Sequence, residues 1–309
     1  MKYKELEKIK SFDKDNLPSV SECVKASLQL FIQEGFQKLD IDKYKKPLVL
    51  GSGNALNTAK IIFEGKNVIF GNENNFKDLL SDEIDVVLIF SASGEKHAPI
   101  MGKYFKDQKV ETHLITCNRD SSAEKILGGK NTIITSKNRE PYTYNTSTYM
   151  GWIFSLTKED PKMILEFIEK NIEHNIDINF NNYDGYIVVV PEKLSLINNL
   201  LDIKFKELFG RRVARDLCTY EEIKHAVTVV PYNKEMCIKF GDEDLYYDGK
   251  ILEIPLPKNC GPAAMMAIGY FVIGKVQEKL PQYFRQNIEA YIKKMNNTDF
   301  GKNLSVIVE

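Results

Sequence analysis

The sequence has no surplus of charge of either sign. Its 42 Lys and Arg stand against 43 Asp and Glu, for a formal net charge of −1. Without a basic excess there is no electrostatic footprint for nucleic acid or for an anionic membrane surface. Cysteine is scarce: Cys23, Cys117, Cys218, Cys237 and Cys260 are odd in number, far apart and form no Cys-x-x-Cys. That argues against a disulfide framework or a zinc site and fits reduced thiols in a cytosolic protein. Long apolar runs are missing too. The longest lies near "AAMMAIGYFVIG" at 263–274, too short to span a bilayer, and reads as a buried helix. The opening "MKYKELEKIKSFDKD" has no apolar core, so no secretory signal is expected there. These absences together predict a soluble, cytoplasmic chain with neither nucleic acid nor membrane as partner.

What is present is enough for a real core. The chain has 309 residues, 43% of them hydrophobic, which suits two ordinary domains or one large α/β domain. Apolar positions Val24, Leu28, Phe31 and Ile32 follow helical spacing. After Pro47 the text reads as strand, glycine turn and helix ("LVLGSGNAL"). Further strands follow at "NVIFG", "DVVLIF", "ETHLITC" and "NTIIT", with helical stretches between them. Runs such as "DVVLIF", apolar throughout, suit parallel strands covered on both faces. "NIDINFNNYD" reads as a linker, after which the pattern restarts. "GYIVVVPEK" is a strand, "LSLINNLLDIKFKELFG" a long helix ended by Gly210, and "TYEEIKHA" a short helix. "VTVVPYN" and "MCIKFG" are strands, and 262–279 and 283–294 are helices. The alternation predicts an α/β fold with doubly wound parallel sheets in two halves, possibly two copies of one fold. The expected division is 1–175, an N-terminal helix plus a first domain, and 176–309, a second domain with a C-terminal tail.

Two turns fall where parallel strands end, at the sheet edge where open α/β sheets bind ligands. The first is Gly51-Ser52-Gly53-Asn54. The second is Ser91-Ala92-Ser93-Gly94, followed by Glu95 and Lys96. Backbone N–H groups at a helix start, together with serine hydroxyls, can hold a phosphate, and Lys96 could add charge. Read alone, the second turn is equally a serine-capped βα turn. The first lacks a third glycine at dinucleotide spacing, and no acidic residue ends the next strand at Gly71-Asn72, which argues against a nicotinamide cofactor. Farther on, Lys204 and Glu207 lie three apart on a helix and share a face, the usual spacing of a surface ion pair. His225 follows Glu222 on a short helix, where a capping or partly exposed histidine is an equally plain reading. Trp152 and the tyrosines at 142, 144 and 149 read as packing.

Taken in order, Gly-x-Gly, Ser-x-Ser-Gly-Glu, "CNRDSSAE", "NTST", "KFKE", "EIKH" and the ending "KNLSVIVE" resemble the sugar isomerase (SIS) domain family. The second half resembles the second SIS copy in the isomerase part of glucosamine-6-phosphate synthase and its deaminase relatives. The resemblance implies two SIS-type, flavodoxin-like subdomains with flanking helices, usually in a homodimer, acting on a small-molecule phosphosugar. It implies a phosphate held by Ser91 and Ser93, a sugar beside Ser147 and Thr148, Glu207 as general base with Lys204 in the same motif, and His225 as a ring-opening group shared across the dimer interface. No cofactor and no metal are implied. Aldose–ketose isomerisation or deamination of a hexose 6-phosphate through a cis-enediol is the expected chemistry. Phosphoglucose or phosphomannose isomerisation, fructosamine-6-phosphate deglycation and a non-catalytic sugar-phosphate regulator are the alternatives. No glutaminase segment precedes the chain, so glutamine-driven amination is not expected of it. The sequence also departs from the family: Ala55 stands for a turn serine, Lys96 for a threonine, Tyr149 for a lysine, Leu200 for a glutamate and Ala226 for a glycine. Lys302 matches a family arginine, and the tail lacks the family's lysine before Ser-Val.

Overall fold

The computed structural model describes residues 3–226, 230, 232–298, 301 and 303–309. Most of the strand expected in "VTVVPYN", and Lys302 of the tail motif, lie outside the described residues. The chain divides into two compact units. One is Gly35–Lys137 with Ser147–Lys158; the other is Met1–Glu34, Asn138–Thr146 and Glu159–Glu309. This differs from the expected cut after residue 175, because the first helices and the segment around Tyr142 group with the later half.

The unit built on Gly35–Lys137 holds a five-stranded sheet. Its order is Ile69–Gly71, Leu48–Gly51, Val87–Phe90, Thr112–Thr116, Thr132–Ile134, and every pairing is parallel. The two central strands are buried at every position, as their unbroken apolar sequences require. Leu48, Leu50, Val87 and Ile89 pack with Met101 and Phe105 of the helix His97–Asp107. Counted along the chain, the order is second, first, third, fourth, fifth. The strand order therefore reverses between Leu48–Gly51 and Val87–Phe90, and a crevice opens beyond their carboxyl ends. Gly51 and Phe90 are register partners at that point. The approach is close: a Cβ on Gly51 would lie 3.2 Å from the Phe90 carbonyl and 2.9 Å from Leu56 N.

The other unit holds a four-stranded parallel sheet in the order Lys250–Ile254, Glu235–Phe240, Gly185–Val190, Ala214–Thr219. Counted along the chain this is again second, first, third, fourth, so the two sheets repeat one topology. Ala214–Thr219 and Lys250–Ile254 are strands that sequence patterning does not predict; both are sheet edges. The long helix Pro262–Lys279 is buried along nearly its whole length. Its N-terminus carries no hydrogen-bonding side-chain cap of its own. Instead Glu159 accepts from the N–H groups of Gly261 (3.1 Å), Ala263 (2.9 Å) and Ala264 (2.9 Å). A carboxylate there satisfies exposed donors and complements the positive end of the helix dipole. The tail closes back as Ile307–Val308, antiparallel to Glu140–Pro141. Among the described residues, no helix is long and apolar enough to cross a membrane.

Candidate functional site

The serine turn is built by its own hydroxyls. Ser91 Oγ accepts from Gly94 N and Ser93 Oγ from Glu95 N, both at 3.2 Å. A hydroxyl that accepts from the backbone still has its proton to donate, so the geometry that shapes the turn leaves two donors at the crevice. Ser91 is half-buried and Ser93 exposed. The turn is seated on the neighbouring strand: Ala92 O accepts from Thr116 Oγ1 (3.0 Å) and Cys117 N (3.1 Å). Gly94 has φ +66°, and a Cβ there would run into the Ser121 side chain, so only glycine fits. Lys96 precedes the helix His97–Asp107 at φ +57°, ψ −105°, a strained conformation for a residue with a Cβ. Gly53 takes nearly the same angles, φ +53° and ψ −126°, before the helix Asn54–Ile62. Neither helix start has a hydrogen-bonding side-chain cap from the residue before it. The ammonium of Lys96 has its pKa lowered by burial.

The first turn carries a group that the sequence alone does not single out. Ser52 Oγ donates to Glu73 Oε2 at 2.6 Å. Glu73 lies two residues beyond the strand Ile69–Gly71, so it reaches the crevice from the neighbouring strand end. Its carboxyl is held below the usual range, chiefly by the Ser52 hydroxyl, with a contribution from His97. Asn54 is 8% exposed, and its Oδ1 has no hydrogen-bond partner among the described residues. Ala55 is buried.

In the other unit, Lys204 and Glu207 lie on the helix Asn198–Phe209. The surface-pair reading fails for Lys204, which has no exposed surface. Its ammonium has three acceptors: Thr143 O at 3.0 Å, Tyr144 O at 2.7 Å and Glu207 Oε2 at 2.7 Å. It also lies 5.1 Å from the ring centre of Tyr270. A buried charge persists only where its donors are satisfied in this way. Glu207 opens on a cavity of about 670 Å³, lined also by Tyr142, Arg211, Tyr283, Asn287 and Tyr291. Burial raises its pKa, and the nearby Lys204 ammonium offsets this only in part. Tyr142 is pushed up to about 12, mainly by burial and then by Tyr291, so its phenol is a proton-bearing donor beside Glu207. Its backbone is tied to the tail, Tyr142 N donating to Val306 O at 2.8 Å.

The remaining candidates lie elsewhere. His225 is exposed in the last turn of the helix Tyr220–Ala226 and does not line the Glu207 cavity. Ser147 and Thr148 are 1% and 2% exposed. Cys117 Sγ donates to Thr148 Oγ1 at 3.4 Å. Gly53 is exposed at its turn. Trp152 is fully buried, its indole N–H donating to Thr135 Oγ1 at 3.0 Å. Among the described residues, no group of three or more His, Cys, Asp or Glu is placed to hold a metal ion.

No family model matches the sequence, and no curated protein matches it. Solved structures do match in three dimensions. The C-terminal domain of glucosamine-fructose-6-phosphate aminotransferase from Francisella tularensis superimposes with a TM-score of 0.60 at 12% identity, over 86% of this chain and 97% of that one. Glucosamine-6-phosphate deaminase from Thermotoga maritima gives 0.60 at 11% identity, over 89% and 93%. Tagatose-6-phosphate ketose/aldose isomerase from Escherichia coli gives 0.56 at 12% identity, over 91% and 90%. Identities this low speak for the fold. With two parallel sheets of one repeated order and matches along almost the full length of these structures, the fold of this chain is the tandem SIS-type α/β arrangement.

Proposed function

We propose that the chain binds a hexose 6-phosphate and moves a proton between C1 and C2, as an aldose–ketose isomerase or an amino-sugar-phosphate deaminase. The observation that carries this reading is Glu207, a carboxyl with a raised pKa at the mouth of a cavity, fixed in place by a buried lysine. A base that works on carbon needs a pKa nearer the working pH than an ordinary carboxylate has, and a fixed position over the carbons it serves. Glu207 takes the proton from one carbon and returns it to the other through a cis-enediol. Lys204 is a positioning residue for it. The serine turn, with Ser91, Ser93 and the backbone from Ala92 to Gly94, holds the phosphate, and Lys96 adds charge. Gripping the non-reacting end supplies binding energy that orients the open chain. Gly51, Ser52, Gly53 and Asn54 form the adjoining wall of that crevice. Ring opening falls to His225 of the partner subunit in a homodimer, with Ser147 and Thr148 beside the sugar.

The test is isotope exchange. Fructose 6-phosphate or glucosamine 6-phosphate is incubated with the protein in heavy water and examined by NMR. Deuterium at C1 or C2 that disappears in Glu207→Gln supports the reading; no incorporation with either sugar overturns catalysis. The second reading is a sugar-phosphate sensor. It is favoured by the first turn, where Ser52 is engaged by Glu73 and Ala55 offers no hydroxyl. Thermal stabilisation by the same sugars without exchange identifies it.

A further inference from the structure

We infer that Glu73 is a specificity residue: it reads a hydrogen-bond donor on the carbon skeleton of the ligand, a hydroxyl or an ammonium, beside the phosphate seat. This rests on the reading of the serine turn as that seat. The two turns at the crevice are neighbours through the Gly51–Phe90 pair, yet they offer opposite chemistry. The Ser91–Gly94 turn presents donors. At the Gly51–Asn54 turn, the one hydroxyl is spent on a carboxylate. An ionised carboxylate has room for about four hydrogen bonds, and Ser52 supplies one to Glu73. Asn54 adds a buried carbonyl oxygen with no partner among the described residues, at the start of the helix that follows. Inorganic phosphate meets a like charge in Glu73 on this side. A phosphate ester whose carbon chain carries donors satisfies both walls at once. The ligand class is thus a phosphorylated polyol or amino sugar rather than any compact anion.

The alternative is that Glu73 merely clamps the first turn through Ser52. Calorimetric titration of the full chain at neutral pH separates the two, using inorganic phosphate, glucose 6-phosphate and glucosamine 6-phosphate as probes. The variants are Glu73→Gln, which keeps the shape and loses the charge, and Glu73→Asp, which keeps the charge on a shorter arm. The inference expects Glu73→Gln to bind inorganic phosphate more tightly, as a like charge is removed. It expects the same variant to bind the sugar phosphates about tenfold more weakly, as a charge-assisted hydrogen bond is lost. Glu73→Asp should show the sugar loss without the phosphate gain. A larger loss for glucosamine 6-phosphate than for glucose 6-phosphate identifies the donor as an ammonium, and equal losses identify a hydroxyl. Sugar phosphates and inorganic phosphate shifting in the same direction, or not at all, overturns the inference while leaving the serine turn standing. Absence of binding by the unaltered protein, with the Ser91→Ala, Ser93→Ala double variant no different, overturns both.

Discussion

Lys204 Nζ stands 2.7 Å from Glu207 Oε2, one helical turn away, and is the member of the pair that is wholly buried. The pair is anchored from beneath: the cation is fixed by two backbone carbonyls of the Thr143–Tyr144 segment, and the carboxylate is what remains in reach of the cavity.

Replacing Lys204 by Met removes the cation and leaves two carbonyls and a carboxyl without their donor. Losing one partner of a buried pair costs about 3–5 kcal/mol. Urea denaturation of Lys204→Met should show a loss of about 3 kcal/mol or more. A loss below about 1 kcal/mol would mean that the ammonium anchors nothing.

The raised carboxyl of Glu207 sets two pH dependences. Acting as the proposed base, it must be ionised, so the acid limb of kcat/KM should lie above the ordinary carboxyl value of 4.5. For stability the sign follows from proton uptake. Between 4.5 and the raised value the unfolded chain has released the proton that the folded chain retains, so folding weakens as pH rises through that window. Relative to Glu207→Gln, the unaltered protein should lose stability across that window and then level off. A parallel pair of curves would contradict the assignment.

Lys96 occupies backbone angles that glycine adopts without strain, and Gly53 at the sister turn shows the same geometry. Lys96→Gly should therefore stabilise the fold by about 1 kcal/mol. The same change should weaken phosphate binding, since a cation leaves the turn. Thermal melts give the first effect and titration with inorganic phosphate the second.

Gly94 has no room for a methyl group: a Cβ would sit 2.6 Å from Ser121 Cβ, at a positive φ. Gly94→Ala should cost about 2 kcal/mol or more through strain and overpacking together. Because the serine turn is also displaced, phosphate affinity should fall with it. A stable variant with unchanged affinity would show that the turn is not the seat.

The central strands were legible because they are apolar at every position, and "VLIF" could be little else. The two edge strands of the second sheet were not. "ARDLCT" mixes Arg215 and Asp216 with its apolar residues, and "KILEI" alternates with Lys250 and Glu253, because an edge strand leaves part of itself in water. The serine turn announced itself through residue type and position. Glu73 did not, since nothing in "GNENN" says that its side chain folds back onto Ser52. Nor could spacing reveal the depth of Lys204: an i, i+3 Lys–Glu pair looks the same whether solvent or carbonyl oxygens surround the ammonium.

The repeated strand order gives the chain a second crevice of the same kind, past Val190 and Phe240. There the loops read Pro191-Glu192 and Gly241-Asp242-Glu243, without the serines of the first crevice. The backbone beyond it is also built differently: Gly185–Val190 runs into the short helix Glu192–Ile197, and Glu235–Phe240 passes to Lys250–Ile254 with no helix between them. The duplication thus repeats the order of the strands without repeating the hydroxyl-rich turns, so the two sheet edges present unlike chemistry.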